Sequence, residues 1–125
     1  MQYAVNVVCG RSTGTPLARG AYFTGVQVYN PAHEPCLLRI AFAHAGDGLR
    51  GGHVSPFETA ELGPGEALAF DCPEIREAAG VRDGLLRGFV VIESAMELDV
   101  VAVHTVANTD GDATAARMER VSGRP

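Results

Sequence analysis

The stretch that decides the fold of this chain runs from Gly88 to Val106 and reads GFVVIESAMELDVVAVHTV. Its two halves, Gly88 to Ser94 and Glu97 to Val106, are rich in the β-branched and aromatic residues that favour strands. Only Ala95 and Met96 separate them, and so short a link predicts a β-hairpin. Their continuous apolarity is typical of central strands that are covered on both faces.

Alternation of apolar and polar residues with a period of two recurs outside this stretch and predicts further strands. The predicted strands are Tyr3 to Cys9, Ala21 to Tyr29, Cys36 to His44, a weaker one within His53 to Glu61, Glu66 to Phe70, and Ala113 to Val121. Pro64 and Gly65 predict a type II turn that joins the fourth and fifth of these runs as a hairpin.

One short helix is predicted after the run that ends at Phe70. Asp71 can act as the N-cap, Pro73 fits the first turn, and Glu74 completes the spacing of a capping box. Gly80 is placed to end the helix. Together these elements predict an all-β chain, an antiparallel β-sandwich of the jelly-roll or immunoglobulin-like kind, with seven or eight strands and one short helix.

Length and composition predict a single domain over residues 1–125, with a disordered tail at about 122–125. Hydrophobic residues make up 46% and charged residues 20% of the chain, which suits a folded globular domain. The net charge of -5, without a basic cluster, argues against nucleic acid as a partner. No apolar run is long enough for membrane insertion, so we expect a cytoplasmic protein.

Candidate residues for chemistry are present but form no catalytic motif. Cys9, Cys36 and Cys72 are odd in number and widely spaced, which predicts free buried thiols. His44 and His104 continue the apolar rows of their strands, which predicts core histidines bonded to backbone. No close pair of His or Cys ligands occurs, and no phosphate-binding loop is present. We therefore expect no catalytic residue, no metal ligand and no cofactor.

Three stretches of the chain resemble the small bacterial β-sandwich proteins typified by the sensory rhodopsin transducer. They are Val26 to Tyr29 ending at Asn30, Leu62 to Asp71, and Gly88 to Thr105. The resemblance implies a soluble sandwich without a cofactor that forms a homo-oligomer, tetrameric in the transducer, and acts by binding a partner. In that family the partner is a membrane receptor contacted from the cytoplasmic side. The cysteines and the Cys72-Pro73 segment have no counterpart there, so no site residue is carried over.

Two functions from different classes follow. The first is a self-assembling scaffold or adaptor, a homo-oligomer such as a tetramer or a filament that could bind another protein, with an interface at Phe89, Val91, Val101 and Val103. The alternative is a jelly-roll protein that binds a small ligand, either a sugar or an anion, or that depends on a metal. That function would use Arg50, His53 and the loop from Gly10 to Gly20.

Overall fold

The computed structural model describes residues 1–108 and 110–125 of the chain. Within these residues, eight strands and one helix follow one another in the order β1 to β5, α1, β6 to β8. Their bounds are Gln2–Ser12 (β1), Gly20–Tyr29 (β2), Cys36–His44 (β3), Glu58–Leu62 (β4), Ala67–Phe70 (β5), Cys72–Ala79 (α1), Leu86–Ser94 (β6), Asp99–Ala107 (β7) and Ala113–Val121 (β8). The predicted all-β antiparallel sandwich with one short helix is confirmed.

The strands form two layers that share β1. Sheet 1 has the order β4, β3, β6, β1, and sheet 2 has the order β2, β7, β8, with β5 on the free side of β2. The first part of β1 pairs with β6, whereas Gly10 to Ser12 pair with β2. The two sheets therefore join along one strand, and the structure is not closed into a barrel.

The core lies between the two sheets and is built from alternate residues of each strand. Its fully buried members include Val5 and Val7 of β1, Ile92 of β6 and Val100 of β7. The side chains between them point outward and are more exposed. The stretch that decided the fold class thus contributes one buried face from each of its two strands.

The predicted hairpin between the two halves of that stretch is wrong. β6 pairs with β1 and β3 in sheet 1, whereas β7 pairs with β2 and β8 in sheet 2. The link between them crosses from one layer to the other. Leu98 in this link is buried, and its amide donates to the Tyr3 hydroxyl at 2.6 Å, so the link packs on the core instead of turning in solvent.

The predicted hairpin of β4 and β5 is also wrong, for a related reason. β4 pairs with β3 and β5 pairs with β2, so the two strands belong to different sheets. The turn between them does form, with Gly65 at a φ of 71° and the Glu66 amide donating to the Gly63 carbonyl at 3.1 Å. Buried Asn30 fixes this turn to the end of β2, because the Gly65 amide donates to its carbonyl at 3.0 Å.

The predicted helix is confirmed at both ends. The Asp71 amide donates to the Glu74 carboxylate at 3.2 Å, as a capping box requires. Gly80 ends the helix in the left-handed conformation, with a φ of 71°. The helix packs against β3, β2 and β5 and covers one open side of the sandwich.

The cysteine prediction is wrong for two of the three residues. Cys9 and Cys72 form a disulfide that joins β1 to the first residue of α1. Cys36 is a free buried thiol, as predicted. The two bonded residues are 63 positions apart in sequence, and only the pairing of the sheets brings them together.

Hydrogen bonds to β1 and β6 hold the two ends of the chain. The tail that we expect to be disordered instead forms a β-bridge with β1, in which the Arg124 amide donates to the Gln2 carbonyl at 2.9 Å. The Met1 ammonium group donates to the Ser94 carbonyl at 2.7 Å. In the described part of the chain no helix is long and apolar enough to cross a membrane.

Candidate interaction surface

The four residues predicted to form an interface lie on two different surfaces. Phe89 and Val91 alternate with buried residues of β6 and point outward from sheet 1. Val101 and Val103 alternate with buried residues of β7 and point outward from sheet 2. Because the two sheets are stacked, these pairs face opposite directions and cannot form one patch.

The outward side of sheet 2 carries apolar side chains from β2, β7 and β8, with Gln27 and Arg120 on either side of Val101. In this sheet Gly25 of β2, Val103 of β7 and Met118 of β8 lie in one row across the strands. Phe23 lies in the neighbouring row, opposite Thr105 of β7. We call this surface the sheet 2 face and define it by Phe23, Tyr29, Val101, Val103 and Met118.

The side chains at the borders of the sheet 2 face are strongly exposed. Met118 is 76% exposed and Phe23 is 51% exposed, while the valines between them are half-buried. The space above Gly25 is filled by the Asp71 carboxylate, since a Cβ at Gly25 would lie 2.8 Å from it, so a charged group also lies on this side of the sheet.

Charged groups limit the sheet 2 face at its other end. Arg120 donates to the Asp99 carboxylate at 2.7 Å across β7 and β8. A shallow groove of about 300 Å³ runs beside this pair and is lined by β5, β2 and β7. An apolar centre with a polar border is the usual arrangement of a protein interface.

Strand β8 adds a second feature, a long edge with hydrogen-bonding groups that a partner strand could use. It spans nine residues, and seven of them are exposed, whichever sheet face they point to. Within the described residues β8 pairs only with β7. The other two edges are shorter, since β4 has five residues and β5 has four.

The outward side of sheet 1 is more polar. Phe89 is 46% exposed there, but Arg39 lies nearby on β3 and forms an ion pair with Glu93 at 3.3 Å. The Arg39 guanidinium also stacks over the Phe57 ring, 4.3 Å from its centroid. The charged groups and the stacked ring make this side a weaker candidate for a dry interface.

His104 lies between a carboxylate and a hydroxyl, which is the order of groups in a catalytic triad. Its Nε2 is 3.3 Å from Glu119 Oε2, and its Nδ1 is 3.1 Å from the Thr24 hydroxyl. That hydroxyl is buried and also bonds both the amide and the carbonyl of Val8, at 3.0 and 3.2 Å. A hydroxyl fixed in this way cannot reach a substrate, so the network joins β1, β2, β7 and β8. The predicted backbone bond of His104 is therefore wrong, because its ring is bonded to the side chains of Thr24 and Glu119.

The residues of the alternative function do not converge. Arg50 and His53 are exposed in the long connection between β3 and β4, and the His53 carbonyl accepts a hydrogen bond from the His44 amide at 2.8 Å. Among residues 1–108 and 110–125 no group of three or more His, Cys, Asp or Glu side chains could hold a metal ion.

A small cavity of about 160 Å³ lies elsewhere, between β3, β4 and α1. Its walls are mainly apolar, with Ile40, Phe42 and Ile75 among them, and Glu58 and Glu74 lie at its border. Neither Arg50 nor His53 lines it. Carboxylates at the entrance would repel an anion, so this cavity does not suit the anion-binding alternative.

Comparison with known proteins supports the fold. No protein-family model and no curated protein matches the chain. The crystal structure of Thermotoga maritima 1070 is similar, with a TM-score of 0.63 and 12% sequence identity. The match covers 98% of this chain and 93% of that one. At this level of identity the similarity shows a shared fold alone.

The sequence contained a signal for the exposed edge that we did not use. Ala113 to Val121 reads ATAARMERV and lacks the apolar row that every buried strand of this chain shows. A strand without an apolar row has no core face, which is expected at an open edge. Alternation with Val100 and Ala102 predicts that Val101 and Val103 point outward. It does not predict that they lie on a different surface from Phe89.

Proposed function

We propose that this protein is a non-enzymatic, self-assembling β-sandwich that acts as a scaffold or adaptor through protein-protein contacts. The observation that carries the proposal is the sheet 2 face, where Phe23 and Met118 are more than half exposed around half-buried Val101 and Val103. Full burial of one such side chain contributes about 1.5–3 kcal/mol. A partner that covers this face therefore gains a substantial driving force.

A second copy of the chain is the partner that this proposal requires first. The sheet 2 face presents exposed apolar side chains, and two copies could stack these faces around a two-fold axis. Phe89 and Val91, on the opposite side, would then stay available for a further copy or for another protein. A membrane receptor of the kind implied by the resemblance to sensory rhodopsin transducers remains a prediction.

Native mass spectrometry at micromolar concentration tests self-assembly, with Val103→Arg as the disrupting variant. We expect an oligomer for the unchanged protein and a smaller assembly for the variant, because an arginine in the middle of the face would lose its hydration on stacking. Circular dichroism should show the same β content for both.

Val54→Arg is the matched control, because Val54 is 56% exposed in the connection before β4 and lies outside sheet 2. This variant should assemble like the unchanged protein. A stable monomer for the unchanged protein, or equal assembly of Val103→Arg and Val54→Arg, would contradict the proposal.

The disulfide also bears on where the protein works. Disulfides persist in oxidising compartments and are rare in the cytosol of most organisms. The Cys9–Cys72 bond therefore favours an oxidising compartment over the cytoplasmic location that we predicted. Fractionation of cells that express the tagged protein, with a thiol-blocking reagent present, distinguishes the two locations.

A further inference from the structure

The strand at the open edge of sheet 2 has a charge pattern that is complementary to itself. Arg117 and Glu119 are two positions apart on β8, so their side chains point to the same side of the sheet. Met118 lies between them and points to the sheet 2 face, in the row of Val103. Charges on an edge strand commonly prevent pairing with other chains. Charges of one sign would serve that purpose, whereas this edge carries both signs.

We propose that two copies of this chain pair edge to edge through β8, as antiparallel strands centred on Met118. This inference rests on the proposed self-assembly and names the surface and the register that it uses. In this arrangement Arg117 of each copy lies directly opposite Glu119 of the partner subunit, and the two Met118 side chains meet at the two-fold axis.

Geometry restricts the possible registers. Antiparallel strands of one sheet are related by an axis perpendicular to the sheet, and residues opposite each other point to the same side. The two-fold axis must therefore lie at a residue and its own copy, and a position between two residues is excluded. With the axis at Arg117, two arginines would lie opposite each other, and with the axis at Glu119, two glutamates would. Only the register centred on Met118 pairs opposite charges twice.

The contacts within one copy leave these groups able to pair. Glu119 is 3.3 Å from the His104 ring, but its side chain is 43% exposed. In the described part of the chain Arg117 takes part in no ion pair, whereas Arg120 is already bonded to Asp99. Arg117 is thus the arginine of β8 whose charge is open to a partner.

Site-directed cross-linking tests the register. In the paired strands the two Met118 Cα atoms would lie about 4.5–5.5 Å apart, which is within the range that a disulfide spans. Met118→Cys should therefore give a covalent dimer under mild oxidation on a non-reducing gel. Arg120→Cys is the matched control, because the two introduced cysteines would be about 13 Å apart and should not react.

Charge exchange tests the pairing itself. Arg117→Glu and Glu119→Arg should each weaken dimer formation by about tenfold in Kd, since each places like charges opposite each other twice. The double variant restores both opposite-charge pairs and should return the Kd to within about threefold of the original. Circular dichroism and thermal unfolding of each single variant separate lost pairing from lost folding.

The outcomes also separate this inference from the proposed function. An oligomer in native mass spectrometry, with equal cross-linking at both introduced cysteines or at neither, would overturn the β8 register and leave self-assembly standing. Failure of the double variant to recover would also overturn it. A monomeric unchanged protein would overturn both proposals.

Discussion

Reduction of the Cys9–Cys72 disulfide should lower the free energy of unfolding by about 4 kcal/mol. The bond closes a loop whose ends are 63 residues apart in sequence. In the chain-entropy account a closed loop of 15 residues contributes about 3 kcal/mol and one of 100 residues about 4.7 kcal/mol, so this loop lies between them. Reduction leaves both sulfur atoms in place, so the comparison isolates the cross-link.

Urea unfolding followed by circular dichroism, with and without dithiothreitol, measures this difference. A slope of about 1–3 kcal/mol per molar urea, usual for small proteins, converts it into a midpoint shift of about 1.3–4 M. Thiol titration of the denatured protein should find one thiol, that of Cys36, before reduction and three after it.

A double variant provides the control for the reductant itself. The combined changes Cys9→Ala and Cys72→Ala should give a protein whose unfolding no longer responds to dithiothreitol. Equal midpoints for the oxidised and reduced unchanged protein, or three free thiols without reductant, would refute the reasoning.

Two further substitutions test the features that hold the sheets together. Asn30→Ala should destabilise by about 3 kcal/mol in urea unfolding, because its two buried side-chain N–H groups share three backbone carbonyls as acceptors. Asn6→Ala on the exposed side of β1 should change stability by less than about 0.5 kcal/mol. Gly88→Ala should lower the melting temperature clearly, because its Cβ would overlap the Ala43 carbonyl oxygen of the neighbouring strand. An unchanged melting temperature would contradict the close approach of β3 and β6.

Local signals in the sequence were sufficient for the elements themselves. β3 and β8 have the predicted bounds, and the helix begins and ends at the residues that its caps indicate. These features depend on the alternation of a few neighbouring residues or on a single N-cap and C-cap. They need no knowledge of distant contacts.

Strand pairing could not be predicted, because a short link is compatible with two outcomes. The residues between β6 and β7 can turn back within one sheet or cross to the other, and only their burial distinguishes these outcomes. Met96 packs against the core and Leu98 is buried, which indicates a crossing. The disulfide depends on the same long-range arrangement, since β1 and α1 meet only once the sheets have paired.

The candidate surface could be predicted in part, because alternation identifies which residues share a side of a strand. It correctly grouped Val101 with Val103, and Phe89 with Val91. The relation between the two groups needed the topology, since placing them in one patch assumed a hairpin that does not exist. Met118 lies outside the predicted interface residues, although its exposed position completes the sheet 2 face.

The symmetry of each surface determines which assembly it can form. The proposed pairing through β8 would be isologous, so it would end with two copies and bring their sheet 2 faces side by side. Its two-fold axis is perpendicular to the sheet, whereas the axis that stacks two sheet 2 faces lies parallel to the sheet. If the two axes intersect, edge pairing and face stacking together give a closed assembly of four copies. Added contacts through Phe89 on the opposite side would extend the assembly without closure. We therefore expect contacts through sheet 2 to form a closed assembly of four copies. Contacts through sheet 1 would determine whether these assemblies join into filaments.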